Sequence, residues 1–180
     1  MVPHAPGTPT APIRDYDGLL ERHGLAAARP PFVTGPARHV VMRRCIDLLW
    51  GGVGSAGISW IGFYEREGDD QMTLVCREPK PACSPIGLHG MCGRGMLDRR
   101  PLVIADVRTL GPNYIACDPK DQSELVIPLL GQDGSCDAVL DVDSWDLASF
   151  DDRDAAGMTR VLLALGLTSP AAVDLRSLHL

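Results

Sequence analysis

SELVIPLLGQDGSCDAVLDVDS, residues 123–144, sets two aliphatic runs on either side of GQDGS. Glycine and aspartate between β-formers are hairpin-turn chemistry. The pattern predicts a strand over Ser123–Leu130, a tight turn, and a partner strand over Cys136–Asp143. Pro128 has no N–H for a ladder, so the first strand is expected at a sheet edge, or near its own end there. In the second strand Asp141 and Asp143 alternate with Leu140 and Val142. The two carboxylates therefore share one face and the two aliphatics the other.

Working outward, GISWIGFYE (57–65) reads as a further strand. Ile58, Trp60, Gly62 and Tyr64 fall on one face, Ser59, Ile61 and Phe63 on the other. Both faces are largely apolar, which predicts a central position. EREGDD closes a hairpin into Gln71–Arg77. Residues 78–91 hold three prolines and two glycines and read as a long loop, a feature often functional inside a compact domain. Pro101–Ala105 reads as a short strand and Asp106–Asp121 as a second long loop. Helices are expected at Asp15–His23 (weakened by Gly18), at Pro36–Trp50 with Val40, Val41, Ile46, Leu48 and Leu49 inward, and at Gly93–Arg99. A last helix opens at Asp151 as N-cap, with Met158, Val161, Leu162 and Leu165 as its stripe. This order predicts an α+β antiparallel sheet with helices packed on one side and both long loops at one end.

The 180 residues and 45% hydrophobic content bound the answer to one soluble domain, expected over 15–166. A Pro-rich lead (1–14) is expected to be disordered and 167–180 to be a tail. A net charge of −6 gives no basic surface for nucleic acid. No run reaches the length of a membrane span, and the N-terminus lacks a secretion signal, so the cytoplasm is the expected compartment. There the six cysteines are reduced. No C-x-x-C occurs and the histidines are not at zinc spacing, so no metal is expected.

Cysteine is commonly a small core residue, and that reading is kept for Cys45, Cys76 and Cys136. Cys83, Cys92 and Cys117 lie in Gly/Pro-rich loops or at their ends, where burial is less natural. Cys92 precedes a candidate helix, whose N-terminus favours a thiolate. Spacing alone leaves a redox role for this trio and plain burial both open. Glu124, Asp141 and Asp143 belong to the hairpin. The residues alone favour a solvated sheet face, yet two carboxylates flanking one valine repel, and a cation between them would relieve this. Trp60 and Tyr64 are core residues on one reading, and an apolar ligand wall with a polar handle on the other.

Taken together, these residues resemble the free methionine-(R)-sulfoxide reductases, enzymes built on the GAF fold. The resemblance is carried by SWIGFYE (59–65), PAC (81–83), GMCG (90–93), DV (106–107), YIACD (114–118), SELVIPL (123–129), VLDVDS (139–144) and FDDRD (150–154). It implies a GAF-like antiparallel sheet of about six strands flanked by helices. It implies reduction of free methionine sulfoxide of the R configuration, through a cysteine sulfenic acid and an intramolecular disulfide that thioredoxin reduces, with no cofactor. Cys117 would be the nucleophile and Cys83 the resolving cysteine, with Cys92 as a third pocket cysteine sharing either role. Glu124, Asp141 and Asp143 would bind the ammonium and supply the proton. Trp60 would cradle the sulfoxide methyl and Tyr64 line the pocket. The chain departs from the family at REPKPAC (77–83), where a glycine-rich run is usual, at Tyr114, where a histidine is usual, and at Pro119 and Lys120. Homodimers are common for the fold, though no interface signature is visible here. Two other readings use the same residues: a non-catalytic GAF module that binds a small ligand, and a thiol redox sensor.

Overall fold

The computed structural model describes residues 11–114 and 117–180. Most of the Pro-rich lead, and Ile115 and Ala116 of YIACD, lie outside the described residues. The hairpin at 123–144 is present as β5 (Ser123–Leu130) and β6 (Cys136–Ser144). The other hairpin is β1 (Trp60–Glu67) and β2 (Gln71–Glu78). β1 pairs antiparallel with both β2 and β6, the central position that its two apolar faces predict. The short strands β3 (Ile86–Gly87), β4 (Leu102–Ile104) and β7 (Leu178–His179) complete the sheet among the described residues, in the order β3-β2-β1-β6-β5-β4-β7. The sheet thus has seven strands rather than about six. It is mixed, because β7 runs parallel to β4.

β7 comes from the segment expected as a tail. Leu167 is fully buried, and Thr168 and Ser169 bond the end of β5. At the other terminus Arg14, expected in the lead, is buried. It pairs with Asp154 at 3.0 Å and donates to the carbonyls of Ser149 and Ala56. Pro128 sits in an interior strand, not at an edge. β4 reaches only as far as Val126, so past that point β5 has no strand on that side and the missing N–H leaves no partner unsatisfied.

The α-helices are α1 (Tyr16–Arg22), α2 (Pro36–Val53), α3 (Met91–Asp98) and α4 (Asp152–Ala164). α1, α2 and α4 cover one face of the sheet, packing Leu19, Met42, Ile46, Leu49, Met158 and Leu162 onto Ile61, Phe63, Leu125, Leu140 and Val142. α1 forms despite Gly18 because Asp15 caps the Gly18 N–H at 2.8 Å and because Tyr16 is anchored, donating to Asp154 at 2.9 Å. In α2 the inward stripe is Met42, Cys45, Ile46, Leu49 and Val53. Val40, expected inward, is exposed because it lies out of phase with that stripe. The capping box of Asp151 and Asp154 opens α4 as expected.

The expectation that all helices pack on one side is corrected. α3 lies on the opposite face, against Trp60, Tyr64, Met72, Val126 and Val139. Its glycines allow this: a side chain at Gly95 would meet Val126 Cγ1 at 2.7 Å. Among the described residues, no helix is long and apolar enough to cross a membrane.

Candidate active site

Beside α3, the second face of the sheet is not filled by aliphatics. β1 places Trp60, Gly62 and Tyr64 there by period two. Gly62 leaves the room in which the Trp60 indole lies, since a Cβ would meet that ring at 2.2 Å. The Trp60 and Tyr64 rings are 6.1 Å apart, tilted by 34°. Register then sets the carboxylates beside them: Asp143 opposite Trp60, Asp141 opposite Gly62, and Glu124 opposite Asp143. The first turn of α3 brings Cys92 over the sheet. The loops before β3 and before β5 bring Cys83 and Cys117 to the rim.

Trp60, Tyr64, Cys92, Cys117, Glu124, Asp141 and Asp143 line a cavity of about 470 Å³ counted to its mouth, together with Ala82, Ile86, Met91, Tyr114 and Asp121, and Cys83 lies beside Cys117 at its edge. All eight residues singled out from the sequence converge on this end of the sheet. The solvated-face reading of the carboxylates is corrected, since Glu124 and Asp141 are buried and Asp143 is half-buried. Sequence alone could not see that α3 and the two loops roof this face.

The three cysteines divide. Cys83 and Cys117 are exposed neighbours at the rim, whereas Cys92 is buried on the floor. Burial, and then the Cys83 thiol bonded against it, push the Cys117 thiol up to about 12. Burial and the charges of Asp141 and Glu124 push Cys92 well above the ordinary thiol range, so the helix N-terminus does not make it a thiolate at rest. Burial raises each carboxylate too. Asp141 is pushed up to about 7, with Asp121 adding to the rise. Glu124 and Asp143 lie well above the usual carboxylate range, with Asp141 the leading neighbour for each. Asp121 is pushed up to about 6 by burial and by Asp118. Such a floor holds protons near neutral pH and exchanges them for an incoming cation. Asp141 Oδ1 is buried with no hydrogen-bond partner, the kind of group a ligand satisfies.

Further features were missed in the sequence. The polar ends of Trp60 and Tyr64 donate to the carbonyls of Lys80 and Cys83, at 2.9 and 2.8 Å. Both aromatic handles therefore hold the Cys83 loop, and only their ring faces are left for a ligand. Lys80 also pairs with Asp118, tying the Cys83 loop to the Cys117 loop. Lys80 and Lys120 lie 5.7 and 5.3 Å from the Trp145 ring, on the outside of the same rim. The signal for Asp121 was its place in CDPKD (117–121), four residues after a candidate cysteine. Cys92, Glu124 and Asp141 also offer a thiol and two carboxylates whose ligand atoms all lie within 4.8 Å of one another. That grouping is invisible in their sequence spacing.

No protein-family model matches the chain. Among curated proteins, it is 33% identical over 141 residues to the free methionine-R-sulfoxide reductase of Saccharomyces cerevisiae, covering 76% of this chain and 74% of that one. It is 36% identical over 110 residues to the Escherichia coli protein of the same name, covering 60% and 64%. The matched region spans about two-thirds to three-quarters of such relatives. Among solved structures, the free methionine-R-sulfoxide reductase of Neisseria meningitidis in complex with its substrate superposes with a TM-score of 0.69 at 26% identity, covering 88% of each chain.

Proposed function

The chain belongs to the free methionine-R-sulfoxide reductase family, and on that premise we propose that it reduces free methionine-(R)-sulfoxide to methionine. The observation that carries the reading is the pairing of two exposed, neighbouring thiols at the rim with a buried carboxylate floor beneath them. Glu124, Asp141 and Asp143 receive the ammonium, which takes the place of protons and neutralises the floor. The faces of Trp60 and Tyr64 hold the sulfoxide end. Cys117 attacks the sulfoxide sulfur as its thiolate, while a protonated carboxyl of the floor gives a proton to the oxygen. The attack forms a bond from Cys117 Sγ to the sulfoxide sulfur, the twice-protonated oxygen leaves as water, and a water attacking Cys117 Sγ then breaks the S–S bond, so that methionine departs and Cys117 is left as a sulfenic acid. The Cys83 thiol displaces the sulfenic oxygen as water and a Cys83–Cys117 disulfide forms. Thioredoxin, oxidised in turn, returns both thiols. In this scheme Cys92 serves the floor rather than the rim, because its thiol is buried among carboxylates.

The test is thioredoxin-coupled NADPH oxidation with free methionine-(R)-sulfoxide, its S epimer and a peptide-bound sulfoxide. Turnover of the free R epimer alone is expected. Cys117→Ser should abolish turnover with any reductant. Cys83→Ser should keep dithiothreitol-driven turnover and lose the thioredoxin-driven reaction. Full activity of Cys117→Ser would overturn the assignment.

A further inference from the structure

We propose that Cys92, Glu124 and Asp141 form a binding site for one thiophilic divalent cation of the zinc class, taken up in place of the ligand's ammonium. Their ligand atoms lie within 4.8 Å of one another, and all three side chains are buried. Sulfur and oxygen atoms around zinc sit at ~2.0–2.3 Å from the metal, so tetrahedral ligands stand ~3.3–3.8 Å apart. Closing the observed spacing needs no more than side-chain adjustment. The three ligands come from α3, β6 and β5, and the pairing of Val126 with Asp141 locks the last two strands in register.

A second observation points independently to a ligand. Asp141 Oδ1 is buried without a partner, and an unpaired buried oxygen is costly until a cation or donor reaches it. An ammonium would satisfy the oxygens but gains little from a thiol, which is a weak acceptor. A zinc-class ion uses all three groups, and thiolate is its preferred ligand. Hard cations such as Mg²⁺ or Ca²⁺ need more oxygen ligands and gain nothing from sulfur. The fourth position opens into the cavity, where water completes the shell. Competition with an ammonium rests on the ligand reading above, whereas the metal site itself does not.

The experiment titrates the full chain, reduced with a phosphine rather than a dithiol, with Co²⁺ and then Zn²⁺. The readouts are the sulfur-to-cobalt charge-transfer absorbance and equilibrium dialysis. One ion per chain is expected, with the band retained in Cys83→Ser/Cys117→Ser and lost in Cys92→Ser. Glu124→Gln should weaken uptake by about tenfold or more while leaving the thiol in place. Free methionine should displace the ion. No uptake by the folded, reduced protein would overturn the proposal, as would uptake lost in Cys83→Ser/Cys117→Ser but kept in Cys92→Ser. If the variants behave as expected and methionine fails to displace the ion, shared occupancy with the ammonium is overturned. Neither readout depends on turnover.

Discussion

Asp141→Asn should stabilise the protein at alkaline pH and remove its ligand. In the unfolded chain this carboxyl loses its proton near 3.8, whereas in the fold it holds it to about 7. Between those values the native state binds more protons than the unfolded one, so stability falls as pH rises. The shift of about 3 units corresponds to about 4 kcal/mol at most. About 3 kcal/mol of that accrues between pH 5 and pH 8. Asparagine keeps the shape and carries no charge, so its stability should not follow this slope. Glu124 and Asp143 share the field, and relieving them adds in the same direction. The assay is urea denaturation of the reduced, ligand-free protein at pH 5, 6.5 and 8. The variant should gain on wild type by roughly 1–3 kcal/mol across that range. Calorimetry should show free methionine binding lost at every pH. Parallel stability profiles for the two proteins would refute the claim that this carboxyl is held protonated by burial.

The same protons predict that wild-type affinity for free methionine rises from pH 5 to pH 8, because Asp141 (about 7) must ionise to receive the ammonium; isothermal titration at each pH checks this. Gly62→Ala should push the Trp60 indole off its seat and break its bond to Lys80, costing about 1–3 kcal/mol by denaturation and raising KM more than it lowers kcat. Tyr64→Phe frees the Cys83 carbonyl, which should cost about 1 kcal/mol and slow formation of the Cys83–Cys117 disulfide on peroxide treatment. Lys80→Met should leave the urea midpoint nearly unchanged, since the pair is near the surface, but should also slow that disulfide by uncoupling the two loops.

Buried carboxylates are destabilising once they ionise, and on the opposite face of the sheet α1, α2 and α4 pack a separate apolar core. The division of labour between faces is visible residue by residue. Leu140 and Val142 serve the core, while Asp141 and Asp143 serve the pocket. Trp60 does both, closing the apolar wall and holding the loop that carries Cys83.

Local rules were enough to read much of this from the chain. Alternation separates the faces of β1 and β6, turn chemistry marks the hairpins, and Asp151 announces α4, because each depends on neighbours within a few residues. The placing of Cys83, Cys92 and Cys117 in loop segments left a redox role open, and only the resemblance carried by SE…DVDS and its companion motifs joined the carboxylates to them as a site. The burial of that site was not legible. It depends on α3 crossing to the far side of the sheet on Gly95, and on long loops whose paths hang on single contacts such as Tyr64 to Cys83 and Lys80 to Asp118. Nor could spacing tell which cysteines lie at the rim and which on the floor. Cys92 lies nine residues from Cys83 in sequence, yet its neighbours are Glu124 and Asp141. Proton affinities followed the same division. An aspartate on a strand has an ordinary pKa until other elements exclude water from it, and only the assembled fold does that.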